Sequence, residues 1–312
     1  MIEVISPGAM TMIQDLGRSG LQEYGFSACG AADYRSMMWA NALVGNKMNE
    51  GVLEFTVSGG MLRFHEKCMI AICGADMDSK INQIPCQRNS PILVESGDIL
   101  QMGFAKDGCR TYLALAGGFA VPEVLGSVST DRKCGIGGIE GRPLKAGDRL
   151  QPGRRQTVRP AKYPTGKKMT KKNPLSIRVV MGPQADYFTS TGIETFLENS
   201  YTVSNDSNRM ACKLNGGVIE TKHGSDMISD GIAPGSIQVA GNGLPMIMMA
   251  DRQTVGGYAK IATVITPDLP LLAQCRPQDE IRFFKISYRK AVSIYKKEQK
   301  QIRHLFQETG GL

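Results

Sequence analysis

The stretch Asp251-Arg252-Gln253-Thr254-Val255-Gly256-Gly257-Tyr258-Ala259-Lys260-Ile261 gathers side chains able to do chemistry. Asp251 and Lys260 can exchange protons, Arg252 and Lys260 can hold negative charge, and Gln253, Thr254 and Tyr258 can hydrogen-bond a ligand. An apolar run, Met246 to Ala250, precedes the stretch and reads as a buried strand; a second run, Ile261 to Ile265, follows it. The residues between are then presented from a loop held by two rigid strands, where sites usually lie. Gly256-Gly257 frees the backbone to turn where a side chain would clash. A polar hairpin carrying a surface salt bridge fits the same pattern, and the pattern alone leaves both readings open.

The first part of the chain offers a comparable set. After a strand at Ile2–Ile5, the segment Thr11-Met12-Ile13-Gln14-Asp15-Leu16-Gly17-Arg18 reads as a polar loop. A helix is predicted over Ala31–Leu43, with Tyr34, Met37, Met38 and Asn41/Ala42 at helical spacing and Gly45 stopping it. Its Met-rich stripe is core packing, Asp33 sits near its positive end, and Asp33, Arg35 and Asn41 are structural by default. Gly126-Ser127-Val128-Ser129-Thr130 offers hydroxyls and backbone N–H groups. Gly135-Ile136-Gly137-Gly138-Ile139-Glu140-Gly141 misses a dinucleotide fingerprint, because its last glycine falls one place late and no strand–helix unit surrounds it. No Walker-type phosphate loop occurs.

At 312 residues the chain can hold two domains with full cores. Short apolar runs punctuated by Gly, Pro, Asn and Asp argue for a β-rich protein, and none reaches the length of a membrane span. The N-terminus reads as a first strand rather than a signal peptide. Eight scattered cysteines without a C-x-x-C pair and three isolated histidines suggest neither a metal site nor a disulfide framework; reduced thiols in a cytoplasmic protein are the simple expectation. The net charge of +8 comes from one place. Arg154, Arg155, Arg159, Lys162, Lys167, Lys168, Lys171 and Lys172 crowd a Pro- and Gly-containing run without an acid, which reads as a solvated linker and not as a nucleic-acid face.

That run divides the chain into β-rich halves at 1–153 and 174–286, with 154–173 as linker and 287–312 as a C-terminal helix. Gly97-Asp98-Ile99-Leu100, Gly147-Asp148-Arg149-Leu150 and Gln278-Asp279-Glu280-Ile281 repeat one phrase, a tight turn ending in Asp that feeds a strand. The second half opens with a strand at Leu175–Met181, then a short helix predicted over Gln184–Ser190 behind Pro183. Ser204-Asn205-Asp206-Ser207-Asn208-Arg209-Met210 is a polar turn with a cation near its end, and Gly235-Ser236-Ile237-Gln238-Val239 leads into another strand. Tyr288, Val292, Tyr295, Gln299, Ile302 and Phe306 mark one face of a basic amphipathic helix.

Taken in order, these motifs resemble the C-subunit family of 5-oxoprolinases, also called allophanate hydrolase subunit 2, a biotin-dependent carboxyltransferase-type family related to urea amidolyase. The resemblance begins at Ser6-Pro7-Gly8 and Thr11 to Gly20, and continues through Gly30-Ala31-Ala32-Asp33, Ala40 to Asn46 and Leu53-Glu54. It runs on through Gly126 to Thr130, Ser207 to Met210, Gly235 to Val239 and Asp251 to Ala262. The family usually has Pro where this chain has Ala259, and Ala where it has Ser236; Ala259 leaves the turn before Lys260 less rigid.

The resemblance implies a mainly β protein of two cyclophilin-like β-barrel domains, with a site in a cleft between them and the B and A sister subunits of 5-oxoprolinase as partners. Such a complex opens 5-oxoproline to glutamate with ATP. Lys260, Asp15 and Asp251 are then the candidate catalytic groups. Gln14, Arg18, Asp33, Asn41, Arg209, Gln238, Arg252 and Tyr258 are the candidate substrate-binding groups. No metal is implied, and where ATP sits in the complex is open. Two other roles occur among relatives: the carboxyltransferase part of a urea carboxylase, which needs a biotin carrier, and a binding regulator of a sporulation-kinase inhibitor. This chain has no A-M-K-M-like biotin acceptor.

Overall fold

The structure, a computed structural model, describes residues 1–153, 161–163 and 174–309. Of the basic linker only Ala161, Lys162 and Tyr163 fall among them; its other seven cations lie outside the described residues. The described residues form two compact units. The first draws on Met1–Ser19, Cys29–Lys167 and Lys300–Leu312, the second on Gly20–Ala28 and Lys168–Gln299. Packing thus assigns the short segment 20–28 to the second unit and the end of the chain to the first, which a division by position along the sequence does not express.

In the first unit the chain runs β1 (Ile2–Ser6), β2 (Met10–Gln14), α1 (Tyr34–Leu43), β3 (Val52–Thr56), β4 (Met61–Phe64) and β5 (Cys68–Asp76). It continues through β6 (Lys80–Ile81), β7 (Ile84–Pro85), β8 (Pro91–Val94), β9 (Ile99–Gln101), β10 (Asp107–Leu115) and β11 (Arg149–Leu150). Two sheets form, ordered β11-β1-β4-β9-β6-β7 and β2-β3-β10-β5-β8. Alternate residues of both sheets meet in one core: Ile2, Val4, Leu62, Phe64 and Leu100 from the first, Leu53, Phe55, Ile70, Ile72, Leu113 and Leu115 from the second. The other face of the second sheet, with Ala71, Cys73, Tyr112 and Ala114, packs on Met37, Met38, Ala40 and Leu43 of α1 and on Ile302 and Phe306 near the chain end. Buried on both faces, β3 is apolar at Val52, Leu53 and Phe55 and polar only at Glu54 and Thr56. Residues 11–14, expected as the start of a loop over 11–18, belong to strand β2; Thr11 and Gln14 pass for loop residues because β2 carries polar groups inward.

The second unit adds β12 (Leu175–Met181), α2 (Ser190–Glu198), β13 (Ser200–Val203), β14 (Ala211–Asn215), β15 (Asp226–Gly231), β16 (Ser236–Val239) and β17 (Pro245–Met248). It ends with β18 (Val255–Tyr258), β19 (Lys260–Val264), α3 (Leu269–Ala273), β20 (Glu280–Lys285) and α4 (Tyr288–Thr309). Seven of these strands close a barrel in the order β12-β19-β16-β17-β14-β13-β20. Closure removes the exposed edges an open sheet would leave. β15 and β18 stay outside it as a two-stranded sheet. The short helix expected over Gln184–Ser190 is a single 3-10 turn at Ala185–Tyr187, followed by α2, which Thr189 caps by accepting the Gly192 N–H at 3.0 Å. No helix among the described residues is long and apolar enough to cross a membrane.

The repeated Gly-Asp phrase folds the same way three times. The carboxylates of Asp98, Asp148 and Asp279 each accept the backbone N–H three residues earlier, from Glu95, Lys145 and Arg276. The residue before each Asp has positive φ: Gly97 at 94°, Gly147 at 86° and Gln278 at 72°. Gln278 alone carries a Cβ there, in a region that costs an L-residue about 1–2 kcal/mol. Gln278→Gly is expected to stabilise the barrel by up to about 1 kcal/mol, after the entropy glycine adds to the unfolded chain. A urea midpoint shows it; a lower midpoint would mean the Gln278 side chain is holding the turn.

Candidate functional site

In the second unit, Lys260 opens β19 and is 3% exposed. Its Nζ donates to Asp230 Oδ2 at 2.5 Å and to the Gly231 carbonyl at 3.1 Å, both at the end of β15. Its backbone N–H donates to Gln184 Oε1 at 3.3 Å. Asp230 is half exposed, and the hydrogen bond from Lys260, helped by the Gly231 N–H, holds its carboxyl below the usual aspartate range. An ammonium has three donors, so one N–H of Lys260 remains for another acceptor.

Gln238 pairs with Lys260 across the β16–β19 ladder where its register slips, and it is wholly buried. Its Nε2 donates to the Tyr258 carbonyl at 3.1 Å, while its Oε1 meets no donor among the described residues. A buried amide oxygen without a donor is costly, and a ligand N–H or a water would satisfy it. Tyr258 enters this arrangement through its carbonyl. The Gly256-Gly257 pair does not turn the chain, as the sequence suggests; both lie in strand β18. A Cβ on Gly256 would fall 2.6 Å from Gln253 Nε2 and 3.1 Å from Gln238 Nε2, so glycine here makes room.

Beside Lys260 lies a pocket of about 400 Å³ lined by Gln22, Glu23, Gly231, Ile232, Ala233, Thr254 and Val255. Gly231 joins the two, forming pocket wall on one side and accepting from Lys260. The size suits a small ligand. Arg252 backs the wall: its Nε donates to the Ile232 carbonyl at 3.1 Å, and its own carbonyl accepts from Ser27 Oγ at 2.7 Å. Arg209 and Asp251 form a two-pronged pair, Nε to Oδ2 and Nη2 to Oδ1, both 2.8 Å. The pair ties the 251–254 loop to the turn before β14. Asp251→Asn is expected to cost about 2–3 kcal/mol, because Arg209 is left buried without its counter-charge; denaturant unfolding measures it, and a loss under about 0.5 kcal/mol, the size of an ordinary surface change, would deny the clamp.

In the first unit, Gln14, Asp15 and Arg18 come together against the 127–130 segment. Asp15 is 2% exposed, and Oδ1 accepts from the Gly17 N–H and from Ser127 Oγ and Ser129 Oγ at 2.7, 2.6 and 2.5 Å. Oδ2 accepts the Val128 N–H at 2.9 Å. The carboxylate is thus saturated by its own chain. Arg18 donates through Nε to the Val124 carbonyl and through Nη2 to the Ser129 carbonyl, and Gln14 donates to the Thr130 carbonyl. Arg18 Nη1 and Gln14 Oε1 have no partner among the described residues. Asp33 and Asn41 sit at opposite ends of α1 instead. Asp33 caps it, accepting the Ser36 N–H and hydroxyl at 3.0 and 2.6 Å. Asn41 donates to the Glu50 carbonyl and accepts from Asn46. Their default structural reading is what these contacts provide.

Sequence reasoning passed over Asp230, Gln184, Gln22 and Glu23. Asp230 stood in view within Ser229-Asp230-Gly231, yet nothing local marks it as the partner of a lysine 30 residues on.

A model of the family described as carboxyltransferase domain, subdomain A and B, matches residues 24–285. The chain is 35% identical to the 5-oxoprolinase C subunit of Escherichia coli (strain K12) over 306 residues, covering 98% of this chain and 97% of that protein. It is 36% identical to the 5-oxoprolinase C subunit of Haemophilus influenzae, covering 99% of each. Among solved structures, the Kluyveromyces lactis urea carboxylase superposes with a TM-score of 0.93 at 33% identity, over 100% of this chain but only 29% of that one.

Proposed function

Because the chain belongs to the carboxyltransferase-domain family of subdomains A and B, we propose that it is the C subunit of an ATP-dependent 5-oxoprolinase. In this reading it works with the B and A sister subunits in the cytoplasm and is inactive alone. The observation that carries it is end-to-end similarity to two 5-oxoprolinase C subunits at 35% and 36% identity.

A lactam resists water because its amide is resonance-stabilised. Transfer of the ATP γ-phosphoryl group to the amide oxygen makes an imidate ester. One water then adds at the ring carbon and expels the amine as γ-glutamyl phosphate, and a second water releases phosphate and glutamate. The Lys260 ammonium, with its remaining N–H, would face the oxygen that gains negative charge. Gln238 Oε1 would accept the lactam N–H. Asp251 and Arg209 would hold the loop that carries Thr254, and Arg252 the wall of the pocket. Arg18 and Gln14 each keep one buried polar atom for a ligand or water. Nucleotide is another matter: the sequence has no Walker-type loop, and Arg209 and Arg252 are engaged by their own chain, so this reading gives the triphosphate to a sister subunit. The test is coexpression with the sister subunits and an assay for ATP-dependent glutamate formation. An assembled, well-folded complex that makes no glutamate from 5-oxoproline rejects the reading.

The urea carboxylase superposition supports a second reading, carboxyl transfer from a biotin carrier, in which Lys260 would face the oxygen of a ureido group. Biotin- and urea-dependent ATP cleavage by the same complex would decide for it.

A further inference from the structure

Helix α4 carries an exposed cationic face, and we propose that this face docks on an acidic protein surface of a sister subunit. Arg289, Lys296, Lys300 and Arg303 recur at spacings of seven, four and three, which aligns them along the helix. Lys290, Lys297 and His304 flank that line on one side. All seven are exposed, and no acidic residue lies on this face between Arg289 and His304; Glu298 is about half a turn away. None of the six lysines and arginines has an ion-pair partner among the described residues.

A second observation points the same way. Arg289 and Lys290 occupy the first turn, where the helix dipole is positive and favours acids, and no acid is present there. A sequence that served only the chain's own folding would gain by the reverse arrangement. Two tyrosines adjoin the cations, Tyr288 at 72% and Tyr295 at 41% exposed. Tyrosine and arginine are enriched at protein interfaces, and the lysines suit the polar rim of one.

The chemistry narrows the occupant. A membrane surface would need the helix's apolar side, but Ala291, Ile302 and Phe306 are buried in the protein. A single-stranded nucleic acid would need aromatic residues among the cations, and along the line from Lys296 to Arg303 there are none. An acidic protein surface needs neither. The inference rests on the reading of the chain as one member of a complex.

The triple variant K296E/K300E/R303E, within the full-length chain, tests it against the purified sister subunits. We expect it to keep the wild-type melting curve and to bind at least about tenfold more weakly at low salt, with a shallower dependence of affinity on ionic strength. A duplex DNA of about two helical turns and phosphatidylserine vesicles serve as competing probes. Unchanged affinity of the variant in a complex that still makes glutamate overturns the docking face and leaves the function standing. Salt-sensitive assembly weakened by the variant, in a complex that makes no glutamate, supports the face and removes the function. Binding of duplex or vesicles but not of the sister subunits overturns it.

Discussion

Lys260→Ala lowers turnover by the assembled complex about 10²–10³-fold, the loss that follows removal of one preorganised donor to a developing oxyanion. The effect falls on kcat more than on KM, because the interaction strengthens as charge forms. The fold tolerates the change. Asp230 is half exposed and rehydrates when its partner goes, so the ion pair itself contributes little. Lys260→Met keeps the buried stem and separates packing from charge. Lys260→Arg does not restore activity, since a planar fork differs in shape from the ammonium held between Asp230 Oδ2 and the Gly231 carbonyl. Turnover close to wild type in the alanine variant would remove Lys260 from the mechanism. The pair also has a pH signature. A carboxyl held low in the folded state stabilises above its unfolded value, and the contribution disappears as pH falls through the folded value. The tie between Lys260 and β15 therefore holds at neutral pH and releases only in acid, which hydrogen exchange along β15 would record.

Asp15→Ala is expected to cost about 3–5 kcal/mol, near the upper end for a single substitution. Two serine hydroxyls and two backbone N–H groups would lose their acceptor in a buried site. For a unit of this size the midpoint of thermal unfolding falls by roughly 10 °C. Asparagine rescues little, because its NH₂ group would face donors. The distinguishing result is activity per folded molecule, expected to stay close to wild type in complexes assembled below the new midpoint. A stable but inactive variant would instead place Asp15 in the chemistry.

Much of this architecture was legible because it is written locally. The strand at Leu175–Met181 matches its expected bounds residue for residue, and Arg149–Leu150 is the strand its Asp turn feeds. Helix α4 follows its spacing pattern, and the three Asp turns announce themselves by a repeated phrase. Helix α2 escaped notice because Thr191, Gly192, Ile193 and Thr195 are poor helix formers. Packing overrides propensity there: Phe196 stacks on Phe283 with centroids 4.6 Å apart, and a Cβ on Gly192 would clash with the Glu220 carbonyl. Strand β18 was hidden by glycines that serve space and not turning. The polar residues of the site were visible as motifs, but their roles depend on partners far away in sequence. Asp15 looks like a base until Ser127 and Ser129 close on it, 112 and 114 residues later. Lys260 shares a motif with Asp251, but in the fold Asp251 goes to Arg209 and Lys260 to Asp230.

The counter-ion of Lys260 rides on a two-stranded sheet that stands apart from the barrel wall. An acceptor that reaches the ammonium finds one N–H open, beside a tethered carboxylate whose local concentration never falls, however dilute the protein.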